Sequence, residues 1–351
     1  MDLFFSLHHI LKIRLTDPPS GVKTLLKEML GYFECGPFEQ AGLNLVFVAD
    51  VPLPERYVHL KHDLLYDNGC FYMITEGGII SFPINDLFSD DIQIRAQLSV
   101  SPVQILYLVE QVINARALDA GYSIFHAVSV REHGAINLYS GMRGAGKTIL
   151  AFNKLRQGAD FIGDDKIFVN RDGEFFAYPR GITVHRHLGN DYNELKRNSL
   201  LSKEIRKEMR YFNFLSILRV VAFPKKGLRI KIERMLKSPG NIRAAISKIF
   251  PKVKIINSGI INYIYLFLKA KPKQELYGFE QFGLKRAAKF ILINNGMERD
   301  MASLQTFFAC GDPYAADLEK KLKKLIYRER RIVMRVLKLI LRNNVGRINV
   351  G

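Results

Sequence analysis

The chain has 351 residues, 48% of them hydrophobic, which suggests about two domains with a sizeable core and excludes a disordered polypeptide. Cys35, Cys70 and Cys310 lie far apart, which excludes a disulfide framework or a zinc pattern and fits a reducing, cytoplasmic setting. The net charge of +18 is uneven: residues 1–125 hold 8 Lys+Arg against 15 Asp+Glu, residues 126–351 hold 44 against 19. The basic back half calls for an anionic partner (nucleotide, acidic peptide, nucleic acid or membrane surface) or is a solvated face.

The opening MDLFFSLHHILKIRL lacks a basic start and a small-residue cleavage site, so it reads as a strand or helix start rather than a signal peptide. LNLVFVAD (43–50), CFYMI (70–74) and GIISF (78–82) read as short strands, punctuated by Pro52, Pro54, Gly69, Gly77, Gly78 and Pro83. Residues 101–121 read as a helix with Val103, Leu106, Val109, Val112 and Ile113 on one face and Gly121 at its end. Residues 1–121 thus form a small α+β domain.

YSIFHAVSV (122–130) reads as one strand, followed by the turn REHG and a second strand, AINLYS (135–140). Residues 147–157 are helical, with Gly158 in the C-cap role. ADFIG is a strand, and KIFVN and EFFAY form a hairpin turning at Asp172–Gly173. Residues 185–254 are strongly basic, YLFLKA (265–270) is a further strand, and a helix starts near Gly283. The 14-residue uncharged run at 255–268 is too short to span a bilayer, which needs about 20 apolar residues.

From about Pro313 a long basic helix carries an apolar stripe of Leu318, Leu322, Leu325, Val333, Val336 and Ile340. Such a stripe packs on its own domain more often than in lipid; peripheral contact with an anionic membrane is the other use of this tail. No aromatic–basic motif points to nucleic acid, so none is expected as a partner. The expected division is 1–121, 122–312 and 313–351.

GMRGAGKT fits G-x-x-x-x-G-K-[ST] at Gly141, Gly146, Lys147 and Thr148, between an apolar strand and a helix. Across Gly141, Met142, Arg143, Gly144, Ala145 and Gly146 the small residues let backbone N–H groups turn towards phosphate oxygens, and the helix N-terminus adds positive potential. Lys147 supplies a point charge for the β- and γ-phosphates of ATP, and the Thr148 hydroxyl is the expected Mg²⁺ ligand.

Asp164 and Asp165 end a strand shortly after that helix, a position beside the phosphate loop in a three-layer α/β fold. One carboxylate can hold Mg²⁺ and the other can take the proton of an attacking hydroxyl; their spacing does not say which does which. His126 is the lone polar ring in an apolar strand next to the loop, and is read as a catalytic candidate against a plain core role. His133 lies in a turn. His185 and His187 flank Arg186 without a third metal ligand, so solvent or phosphate contact is expected there. Arg180 and Arg243 are candidate cations around a transferring phosphate.

With FHAVSV, the loop and FIGDD assembled, residues 122–184 resemble the HPr kinase/phosphorylase superfamily, especially its shortened members from peptide- and polysaccharide-modification systems. Phosphoenolpyruvate carboxykinases share the core fold but are longer and carry metal ligands not found in this sequence. The resemblance implies a mixed α/β fold with a P-loop kinase core, a small N-terminal α+β domain and a C-terminal helical region. It implies an ATP- and Mg²⁺-dependent kinase acting on a serine of a peptide or protein, or on a small hydroxyl metabolite. Residues Gly141 to Thr148 would bind the phosphates, Asp164 and Asp165 would serve metal and base, and His126 would lie near the transferred phosphate.

YPRGITV (178–184) is similar to the family's signature segment, but Pro179 stands where the family has an acid before Arg–Gly. One metal ligand is thereby missing from the pattern, and reverse phosphorylase activity is not implied. The alternative expectation is a nucleotide-binding regulatory or assembly module with little or no transfer. A homo-oligomer is compatible with either.

Overall fold

A computed structural model describes residues 2–61, 64–75, 77–83, 89–142, 145–179, 181–184, 242–267, 283–297, 313–343 and 349–350. Over these residues the protein is of the mixed α/β class, with several sheets and six helices. The chain begins with two strands in which every second residue is buried, β1 (Leu3–Leu7) and β2 (Leu11–Thr16). Period-two burial is what one face of a pleated strand requires. Helix α1 (Ser20–Leu30) buries Val22, Leu25, Leu26 and Met29 at helical spacing.

Six strands follow: β3 (Leu43–Val48), β4 (Val58–Lys61), β5 (Leu64–Asp67), β6 (Cys70–Thr75), β7 (Gly78–Pro83) and β8 (Ile92–Gln97). They join β1 and β2 in one eight-stranded sheet of order β1-β2-β3-β8-β7-β6-β5-β4, parallel only at β2–β3 and β3–β8. The expected strands at 43–50, 70–74 and 78–82 are its β3, β6 and β7. Helix α2 (Pro102–Asp119) is buried on most sides between this sheet and the rest of the protein. Val103, expected on its apolar face, is instead 40% exposed on the same side as the exposed Tyr107, while Ile105 and Leu106 turn into the core.

Residues 122–130 are not one strand. β9 (Ser123–Phe125) belongs to a four-stranded sheet with β13 (Ile167–Val169), β14 (Glu174–Ala177) and β17 (Ser258–Ile260). β10 (Ala127–Glu132) belongs to a five-stranded sheet with β11 (Ala135–Gly141), β12 (Asp160–Gly163), β18 (Tyr263–Phe267) and β19 (Asn349–Val350). The chain changes sheets at His126. A small ribbon pairs β15 (Ile182–Val184) with β16 (Ile242–Ala244), so ITV and IRA lie side by side.

The helices of this half are α3 (Lys147–Arg156), the one-turn α4 (Ile246–Ile249), α5 (Leu284–Met297) and the tail helix α6 (Pro313–Asn343). Along α6, Leu322, Leu325, Ile332, Val333, Val336, Leu337 and Ile340 are buried, and the last five share a core with Ala287, Ala288 and Ile291 of α5 and with Leu138 and Leu266 of the sheet. At about 1.5–3 kcal/mol per buried aliphatic side chain, these five residues hold the helix on the protein core; the Leu318 side chain lies outside the described residues. No described helix is long and apolar enough to cross a membrane.

The front sheet's core does not stop at residue 121. It runs on through Tyr122, Ile124, Phe168 and Tyr178. The His8 Nε2–H donates to the Ala177 carbonyl at 2.8 Å, and Gly181 N–H donates to Met29 O at 3.0 Å. Glu28 of α1 accepts the Ala245 N–H at 2.8 Å and the Lys248 ammonium. The segment that follows β14 is therefore clamped by the front sheet and α1.

Candidate functional site

Register brings the three sequence features to one end of one sheet. β10 and β11 are antiparallel with Ala127 opposite Ser140, so His126 lies beside the end of β11, where the phosphate loop begins. β10 and β12 are antiparallel with Ser129 opposite Gly163, so the acid pair leaves β12 at that same end. The loop, His126 and the two aspartates converge although they are up to 39 positions apart in the chain.

Gly141 closes β11 where β18 runs parallel to it. A Cβ there would sit 2.7 Å from Phe267 Cβ and 3.0 Å from Phe267 O, so only glycine allows this approach. Ala145 N–H donates to Met142 O at 3.1 Å, and Gly146 enters α3 at φ +86°, a left-handed conformation that a glycine adopts without strain. Met142 is exposed at the loop's rim. Arg143 and Gly144 lie outside the described residues, as do Arg180, His185, Arg186 and His187; Arg243 is placed only as a β16 position opposite Thr183.

Lys147 is 6% exposed, and its ammonium is held close to the loop. It donates to Gly141 O at 2.6 Å and Met142 O at 3.2 Å, and lies 2.9 Å from His126 Nε2. The lysine is thus drawn back onto the carbonyls of its own loop, at the mouth of α3. Next to it, Thr148 Oγ1 donates to Asp164 at 3.1 and 3.4 Å from the two carboxylate oxygens. Asp164 is buried, whereas Asp165 is half-buried. Asp165 adopts φ +70°, a conformation that aspartate tolerates better than most residues.

The Thr148 hydroxyl and the Asp164 carboxylate are hard oxygen donors in contact, the set that suits Mg²⁺. Among the described residues no group of three or more His, Cys, Asp or Glu could hold a metal ion. Mg²⁺ does not need one: it is usually bound through one or two protein oxygens together with substrate phosphates and water. The donors present fit it.

Gly163 makes the acid turn possible. Its Cβ would lie 2.9 Å from Lys166 O. Gly163→Ala should cost about 1–3 kcal/mol through this backbone clash and displace Asp164 from Thr148. The check is a lowered melting temperature together with a higher Mg²⁺ concentration for half-maximal nucleotide binding. A melting temperature equal to wild type would show that the turn has slack. Behind the turn, Lys166 and Glu110 of α2 form a buried ion pair at 3.2 Å, tying the acid loop to the front half.

Helix α3 is anchored to the sheet by Glu132. Its carboxylate accepts Tyr139 Oη–H at 2.7 Å and Asn137 Nδ2 at 2.9 Å, and pairs with Lys154 Nζ at 2.8 Å. Burial pushes this carboxyl up, but the bonds from Lys154, Tyr139 and Asn137 outweigh burial and hold it below its ordinary 4.5. A lowered folded-state value stabilises fully above 4.5 and loses that contribution as pH falls through it. Glu132→Gln should therefore lower the melting temperature at pH 7, and the gap to wild type should shrink at pH well below 4.5. A gap independent of pH would contradict this.

The sequence reading did not include Gly163, the Lys166–Glu110 pair, or three buried polar residues behind His126: Asn294, Asn295 and Glu329. Glu329 was nonetheless visible in principle, since it falls four residues after Leu325 and four before Val333, on the apolar stripe. His133, in the turn between β10 and β11, has φ +49° and serves the hairpin rather than the site. No protein-family model matches this chain, and no curated protein sequence matches it. The chemistry of the site has to be read from its own residues.

Proposed function

We propose that this protein is an ATP- and Mg²⁺-dependent kinase that transfers the γ-phosphate to a hydroxyl, with a serine of a peptide or protein as the favoured acceptor and a small hydroxyl metabolite as the other. Its nucleotide-binding half would be a P-loop kinase core of the HPr kinase/carboxykinase type. The observation that carries this reading is the contact of Thr148 with Asp164 beside Lys147, with a second carboxylate at the next residue. In a transfer site that second acid can serve as the base.

In this reading the loop N–H groups and the Lys147 ammonium hold the phosphates. Thr148 and Asp164 hold Mg²⁺, which when bound neutralises charge on the phosphate oxygens. Because Asp164 is committed to Thr148, Asp165 is assigned as the base. Its carboxylate accepts the acceptor's hydroxyl proton as the oxygen–phosphorus bond forms and the bond to the leaving ADP oxygen breaks. His126, in contact with Lys147, keeps the ammonium at the mouth of the loop.

The test is incubation of the full chain with Mg²⁺, γ-labelled ATP and a randomised peptide mixture holding serine, threonine and tyrosine. Base-labile, acid-stable label on serine is expected. Bound nucleotide with no label on any peptide, protein or small hydroxyl compound would count against transfer. The second reading, a nucleotide-binding regulatory or assembly module, is favoured by one feature, Pro179 in place of the acid of the resembled signature. It predicts that nucleotide changes affinity for a partner even after both Asp164 and Asp165 are replaced by asparagine.

A further inference from the structure

His126 stands where the chain leaves one sheet and enters another, so its backbone has no ladder partners on either side: β9 ends at Phe125 and β10 begins at Ala127. Buried backbone groups must be paired. Here side chains pair them. His126 N–H donates to Asn295 Oδ1 at 3.0 Å, and His126 O accepts Asn294 Nδ2 at 2.9 Å and Ser140 Oγ at 3.2 Å. Asn295 Nδ2 in turn donates to Glu329 Oε1 at 3.2 Å, which also accepts Ser123 Oγ at 3.1 Å. Asn294, Asn295 and Glu329 are each 2% exposed.

A carboxylate at this depth is costly unless it is hydrogen-bonded, and a leucine would continue the α6 stripe at less cost. What Glu329 supplies is direction. An asparagine amide can turn over and exchange its donor and acceptor ends. Glu329 Oε1 accepts from both Asn295 Nδ2 and Ser123 Oγ, so it draws Nδ2 to itself and leaves Oδ1 aimed at the His126 N–H. We propose that Glu329 and Asn295 are a positioning pair through which the tail helix fixes His126 against the Lys147 ammonium. The 313–343 helix is then part of the scaffold of the phosphate site rather than an appendage. Only the activity readout below rests on the kinase reading.

The experiment uses the full chain with ¹⁵N-labelled histidine, as wild type, Asn295→Asp, Glu329→Gln and the double variant. Asn295→Asp keeps an oxygen for His126 but removes the donor and sets two carboxylates face to face. The His126 imidazole resonances should shift, and kcat for transfer should fall about tenfold with the KM for nucleotide unchanged. Adding Glu329→Gln restores a donor, and the double variant should return to within about twofold of wild type, a coupling that two independent sites do not show. His126 resonances unmoved in folded Asn295→Asp, or a double variant no better than the two single effects combined, would overturn the proposal. If Asn295→Asp alone fails to fold, recovery of folding in the double variant is the same coupling, and failure of both overturns it. A wild-type chain that transfers nothing defeats the kinase reading but leaves the resonance test intact.

Discussion

Lys147→Met should weaken binding of Mg·ATP by about a hundredfold, the loss expected when a buried charge-assisted contact to phosphate is removed. In the structure this ammonium is satisfied by Gly141 O, Met142 O and the His126 ring. Those carbonyls are released when the lysine moves to phosphate, so its exchange of partners costs little. Methionine keeps the length and removes both the charge and the donors. Lys147→Arg should not rescue binding: the planar guanidinium is too broad for a place enclosed by two loop carbonyls and a ring. Titration with a ribose-labelled fluorescent ATP reads both variants. Near-wild-type affinity in Lys147→Met would mean that the loop does not hold the β- and γ-phosphates.

Asp165→Asn should lower the rate of transfer by about 10²–10⁴-fold, the usual worth of a positioned general base, while nucleotide affinity stays within about threefold of wild type. Asp164→Asn should act differently. That carboxylate touches Thr148, so its loss should raise the Mg²⁺ concentration needed for half-maximal binding. Rates and Mg²⁺ titrations on the two variants separate the roles that two adjacent aspartates share in the sequence. Equal effects of both on binding would contradict the assignment of Asp165 as base.

The geometry of the glycine-rich loop was readable from sequence because its backbone constrains residue type locally. Gly141 admits Phe267, Gly146 takes a left-handed turn, and Lys147 and Thr148 follow at fixed offsets. The acid pair was readable for the same reason, and so was the tail helix, where Leu322, Leu325, Val333, Val336 and Ile340 of the expected stripe are buried. The front half was only partly legible. Leu3, Phe5 and Leu7 alternate cleanly, and Val22, Leu25, Leu26 and Met29 have helical spacing, but β1 and α1 gain their definition by burying those faces in one shared core.

The break at His126 was not legible, and the reason is physical. YSIFHAVSV is uniformly strand-forming, so propensity favours one continuous strand. What interrupts it is a pair of asparagines 168 and 169 positions away that satisfy the His126 backbone in place of a ladder. Likewise nothing near Asp164 announces that it will face Thr148. That follows from Gly163 and from the carbonyl of Lys166 packed over it.

The most direct measurement takes bound nucleotide and transferred label from the same samples: wild type, Asp165→Asn and Lys147→Met, with Mg²⁺, γ-labelled ATP and a serine-containing acceptor mixture. Wild type should bind and transfer, Asp165→Asn should bind without transferring, and Lys147→Met should do neither. Wild type that binds ATP as tightly as Asp165→Asn and transfers no more label than it does would contradict the kinase account and leave a site that only senses its nucleotide.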